Sequence, residues 1–220
     1  DQWQAEGAFG FLDGNFGGQV DAGIGSDAES EFWTLSGHAY WAGEGWRLGV
    51  VLSNTQIEND SDPIAQVSIS EISYGIEGTH NLGKDIVARA SATMGDKSVS
   101  IDGSIFFLPS ESTYDSWNLD AGISYHITSN ARVDATIGVG GQGGTFWAGD
   151  TSFFAVSGEF QPWSAPVSIT AGYARATEEN LAFSPSTYET NTFSIGLRWS
   201  FGGETMRDRD NSTPFDARYG

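Results

Sequence analysis

Thr192-Phe193-Ser194-Ile195-Gly196-Leu197-Arg198-Trp199-Ser200-Phe201 is the stretch from which the rest of the chain can be read. Every odd position is large and apolar, and every even one is polar or glycine. A period of two puts the first set on one face of a strand and the second on the other. The same alternation recurs along the sequence. Trp3, Ala5, Gly7, Phe9 and Phe11 oppose Gln4 and Glu6, and Trp33, Leu35, Gly37, Ala39 and Trp41 oppose Ser36, His38 and Tyr40. Ile86, Ala88, Ala90, Ala92 and Met94 oppose Arg89, Ser91 and Thr93, and Val133, Ala135, Ile137 and Val139 oppose Arg132, Asp134 and Thr136. Eleven such segments are legible, and none carries a helical period.

The connections between segments have a rhythm of their own. Short ones, around Gly14, Gly43, Gly83, Ser129 and Pro162, alternate with long ones at 26–31, 58–66, 95–115, 141–151 and 176–190. A sandwich with Greek-key crossings gives no reason for strict alternation. Strands that cross a bilayer back and forth do, with tight turns on one side and long loops on the other. Within the long stretch 95–115, the alternation of Val99, Ile101, Gly103, Ile105 and Phe107 reads as a β-hairpin standing out of a loop.

Aromatic residues collect at segment ends. Trp41, Trp46, Trp163 and Trp199 lie beside short turns, and Trp3, Trp33 and Trp117 lie at the opposite ends, with small and aliphatic residues between. Two such belts are expected where amphipathic rings sit at headgroup depth. A soluble core would instead concentrate its bulk at mid-strand, where this chain often has Gly or Ala.

The chain resembles a Gram-negative outer-membrane β-barrel, porin-like in type. The resemblance rests on alternation, belts, turn rhythm and the terminal strand, and covers nearly the whole chain. It implies an all-β, antiparallel up-and-down transmembrane β-barrel over residues 1–201, with 202–220 a polar periplasmic tail. It also implies that Phe193, Ile195, Leu197, Trp199 and Phe201 are the signal read by the barrel-assembly machinery. Such barrels have even strand numbers, so about twelve strands are expected, the twelfth preceding Asp1. No signal peptide opens the chain, so Asp1 is expected to be a mature or trimmed start.

Composition narrows the functional classes. Ten Lys plus Arg stand against twenty-nine acids, for a net charge of −19, which excludes a nucleic-acid partner. No cysteine is present, so thiol chemistry and Cys-based metal sites are excluded. No run approaches the ~18 apolar residues of a transmembrane helix. The acidic loops around Glu58-Asn59-Asp60-Ser61-Asp62 and Glu178-Glu179 lack an ordered ligand series, so no metal is expected. Gly140-Gly141-Gln142-Gly143-Gly144 is not followed by Lys-Ser/Thr and is no phosphate loop.

Candidate functional residues lie on the wet face. The phase of each strand points Glu6, Asp21, His38, Arg47, Glu77, Arg89, Asp120, His126, Arg132, Asp134, Glu159 and Arg198 into the lumen. These charges must be paired or wetted. The three histidines stand apart in sequence and no nucleophile motif accompanies them, so no enzyme and no cofactor are expected. The reading is a porin-like barrel for passive diffusion of small solutes or ions, cation-preferring because acids are in surplus. Two other readings stay open: a filled structural or adhesive outer-membrane barrel, and a secreted soluble β-sandwich that binds a ligand. The partners expected are outer-membrane lipid and lipopolysaccharide.

Overall fold

A computed structural model describes residues 3–26, 30–59, 65–103, 111–143, 148–162, 167–180, 186–199 and 206. Eleven strands follow one another: β1 (Trp3–Asp13), β2 (Phe16–Ser26), β3 (Ser30–Gly43), β4 (Trp46–Asn59), β5 (Ala65–Asn81), β6 (Ile86–Gly103), β7 (Glu111–Thr128), β8 (Ala131–Gly143), β9 (Gly149–Phe160), β10 (Val167–Asn180) and β11 (Ser186–Trp199). All belong to one sheet in sequence order, each antiparallel to its neighbours, and the sheet curls into a half-barrel. A sandwich needs a second layer; here a single sheet holds every strand.

Tight turns set the hairpin registers. Gly14 has φ 60° and Gly45 has φ 74°, the left-handed conformation that a two-residue hairpin turn requires and that only glycine adopts without strain. From the second of these turns β3 and β4 pair without interruption, from Gly43↔Trp46 to Ser30↔Asn59. A register shift interrupts one ladder, that of β7 and β8 between His126 and Thr128.

The burial of side chains is inverted relative to a water-soluble protein. The buried set is mainly polar and includes Gln19, Asp21, Ser36, His38, Glu77, Arg132, Asp134 and Glu159. The apolar set faces out: Val50, Leu52, Ile76, Met94, Ile137 and Ile169 are all exposed, and Ile195 reaches 88%. A continuous apolar outer surface is stable only where hydrocarbon replaces water. The sheet is therefore the wall of a transmembrane-type β-barrel.

The strands run further than the sequence predicts on the rim opposite the tight turns. β6 continues to Gly103 and β7 begins at Glu111, so Val99 and Ile101 are not a separate hairpin. They pair with Ile69 and Val67 of β5, and Val99 also opposes Ser112 of β7. Ile105 and Phe107 lie outside the described residues. Along this extension the apolar phase changes face. Phe32, Ile57, Ile69 and Val99 stand directly opposite one another on the inner face, while the adjacent outward row is Glu31, Glu58, Ser68 and Ser100. Beyond the bilayer the outward face meets water, so nothing there favours apolar residues.

The two edge strands differ from the rest. Among the described residues β1 and β11 pair only with β2 and β10, and both run from the extended rim towards the tight-turn rim. β1 is exposed on both faces along nearly its whole length. Of the tail, Met206 alone is described, in helical conformation and with 0% exposure. Phe201 and the rest of 202–220 fall outside the described residues.

Candidate functional site

The inner wall carries two hydrogen-bonded charge clusters near the tight-turn end. The first joins β2, β3 and β5. His38 Nε2 lies 2.6 Å from Asp21 Oδ2, and Nδ1 lies 2.6 Å from Glu77 Oε1. Gln19 Nε2 donates to both Asp21 oxygens at 2.8 and 3.0 Å. These side chains meet because their register brings Gln19 opposite His38, while the β4 residues intervening between His38 and Glu77 are small, Val51 opposite His38 and Gly49 opposite Glu77. All four are buried, with Asp21 only 1% exposed.

The second cluster runs across β6 to β11. Arg89 Nη2 donates to Asp134 Oδ1 at 2.7 Å and to Ser124 Oγ at 2.6 Å, and Ser124 donates in turn to Asp134. Arg132 Nε lies 2.9 Å from Asp134 Oδ2, and its Nη2 lies 3.3 Å from Glu159 Oε2. Glu159 also accepts from Arg198 Nη1 at 3.3 Å and from Ser168. Arginines and acids thus alternate laterally along the wall, each carboxylate held by at least one charge-assisted bond.

The remaining candidates are placed as follows. Asp120 accepts from Ser91, and His126 is buried opposite Arg132. Arg47 is half-buried where β4 begins and interacts electrostatically with Tyr40. Glu6 accepts from Gln4 and sits on the exposed edge strand β1. Trp3, Trp33, Trp41, Trp46, Trp117 and Trp199 are exposed on the outer face; Trp163 lies outside the described residues. Trp41 packs edge-on against Phe16 at 4.4 Å, and Trp33 Nε1 donates to Gln56 at 3.1 Å. In the closing strand Phe193, Ile195, Leu197 and Trp199 are all strongly exposed. Among the described residues no group of three or more His, Asp or Glu is arranged to hold a metal ion.

Sequence reasoning overlooked the uncharged partners Gln19, Ser124 and Ser168; of the inner aromatics it placed Tyr40 on the polar phase and overlooked Phe32 and Phe153. A Cβ at Gly17 would stand 2.1 Å from Tyr40 Cζ, one at Gly25 2.4 Å from Phe32 Cε1, and one at Gly138 2.0 Å from Phe153 Cε1. Each ring therefore lies flat over a glycine of the neighbouring strand. The signal was present as an aromatic on the polar phase with glycine directly opposite.

No family model matches the sequence, and no curated protein does. Among solved structures, BauA, the ferric preacinetobactin receptor from Acinetobacter baumannii, is 14% identical with a TM-score of 0.48, over 90% of this chain and 44% of its own. FauA, the alcaligin outer-membrane receptor from Bordetella pertussis, is 16% identical with a TM-score of 0.36, over 92% of this chain and 39% of its own. The chain spans less than half the length of either receptor, and neither likeness transfers a function.

Proposed function

We propose that this chain forms the wall of an outer-membrane β-barrel whose lumen passes small polar solutes or ions by diffusion, with a preference for cations. One observation carries the reading: the inner charges bond sideways, strand to strand along the wall. The contacts of the two clusters join strands at most two apart in the sheet, with Asp21, His38 and Glu77 on β2, β3 and β5 and Arg89 and Asp134 on β6 and β8. The inner rings lie flat on glycines, which supports the same reading. A wall whose charges are paired along itself leaves the space it encloses to water. The surplus of acids, in a chain of net charge −19, supports the cation preference.

Outer-membrane lipid and lipopolysaccharide would then solvate the exposed apolar face, and the barrel-assembly machinery would read the β11 end. The reading includes no enzymatic activity. Both ring nitrogens of His38 lie on carboxylates, so neither remains to activate a serine. Single-channel recording of the purified protein in planar bilayers is the test. Discrete conductance steps with a cation-selective reversal potential are expected. A silent bilayer over a wide range of salt would defeat the passage reading and leave a structural or adhesive barrel.

A further inference from the structure

We propose that Asp21, His38 and Glu77 form a proton-binding site in the barrel wall, in which the imidazole carries both of its protons at neutral pH. The geometry carries this. A neutral imidazole has one N–H donor and one acceptor nitrogen, and an ionised carboxylate only accepts. Here both ring nitrogens face carboxylate oxygens at 2.6 Å, so a neutral ring would set two lone pairs against each other at one of these contacts. An imidazolium donates from Nδ1 to Glu77 in a short charge-assisted bond, and at Nε2 it sets positive charge beside Asp21 where a neutral ring would set a lone pair.

Two of the strands packed around the ring bring carboxylates to it. From β2, Gln19 donates to both oxygens of Asp21. From β4, the residue opposite His38 is apolar Val51, with Arg47 placed further along beside Tyr40. On β3 itself the neighbours on the inner face are Ser36 and Tyr40. From β5, Glu77 supplies the second carboxylate, and Asp120 of β7 adds negative potential near it. With the proton in place, two carboxylates and one imidazolium leave a single net negative charge. When the Nε2–H bond breaks and the proton passes to water, two negative charges remain, Nδ1 keeps its bond to Glu77, and the attractive contact of Nε2 with Asp21 becomes a repulsive one. The stabilisation is therefore present while the proton is bound and is lost as pH rises past its release. On the passage reading above, that release adds a negative charge to the wall and strengthens cation preference.

The test is NMR of the full-length protein, labelled with ¹⁵N in its imidazoles and held in detergent micelles, with His38→Gln used to assign the resonance. Both His38 nitrogens should be protonated at pH 7 and convert to a single protonated nitrogen only on alkalinisation. In Glu77→Gln the same conversion should occur at lower pH. A ring with one protonated nitrogen at pH 7 in the unaltered protein would overturn the proposal, wherever else a proton were found. A second measurement separates the site from the passage reading. In planar bilayers the cation-to-anion permeability ratio should rise across the pH interval of the NMR conversion, and should stay flat in His38→Gln. Doubly protonated His38 with no current at all would sink the passage reading and leave the site standing. A current whose selectivity ignores the conversion would overturn the link between them.

Discussion

Arg132 and Arg198 share one acceptor, Glu159, at the same 3.3 Å, yet their surroundings make them unequal. The Arg132 side chain is 5% exposed and also bridges to Asp134, whereas that of Arg198 is 37% exposed at the sheet edge. Removing one partner of a buried pair leaves the other charge uncompensated, at a cost of about 3–5 kcal/mol. Loss of the half-exposed Arg198 leaves Glu159 still held by Arg132 and Ser168, so that pair contributes only about 0–1 kcal/mol. Arg132→Ala should therefore lower the urea midpoint of the lipid-reconstituted protein sharply, and Arg198→Ala should barely move it. Equal shifts would mean that water reaches both sites alike. The charged residues were legible in sequence, because strand phase alone assigns them to the inner face. Their partners were not: which serine or glutamine meets Asp21 or Glu159 depends on register and on contacts that skip a strand.

At the level of strands, the sequence revealed membrane-crossing segments and missed their continuations. The alternation of Ile86 to Met94 is strong because hydrocarbon selects one face and the wet lumen the other. From Asp96 to Ser100 the outward positions are Asp96, Ser98 and Ser100, so a pattern search sees the strand stop where only the solvent has changed. The inward turn of Phe32, Ile57, Ile69 and Val99 is the same effect from the other side. This locates the outer edge of the hydrocarbon between Met94 and Ser100 on β6. In liposomes, Ser100→Cys should react with a water-soluble maleimide while Ala90→Cys, on the same outward face, stays protected. Equal labelling of the two would place the whole face in water and remove the membrane from the account.

For the whole molecule, closure is decided at the seam. Inside a bilayer every backbone N–H and C=O must be paired, so the edges of β1 and β11 cannot both stay open. The two strands run in the same direction, and direct contact would make a parallel seam in an otherwise antiparallel wall. One ascending strand between them restores the antiparallel order and the even number expected from the turn rhythm. Their backbones would then lie about 9.5 Å apart, two strand spacings, against about 4.8 Å for direct pairing. Spin labels on Gly7→Cys and Ser194→Cys in the membrane-inserted protein should report the larger separation. The shorter one, or a spontaneous disulfide within one chain, would show an odd barrel closed on itself.

The rings of Tyr40, Phe32 and Phe153, seated on Gly17, Gly25 and Gly138, bear on how steady such a passage would be. An aromatic side chain standing free in a water-filled bore swings between rotamers and changes the bore's width each time. A ring laid on a glycine has backbone beneath it and no room to swing inward without giving up that contact. The width of the passage is then set by the curvature of the sheet and hardly at all by side-chain motion. A barrel built this way behaves as a fixed aperture, and its electrical noise should come from the solute and not from the wall.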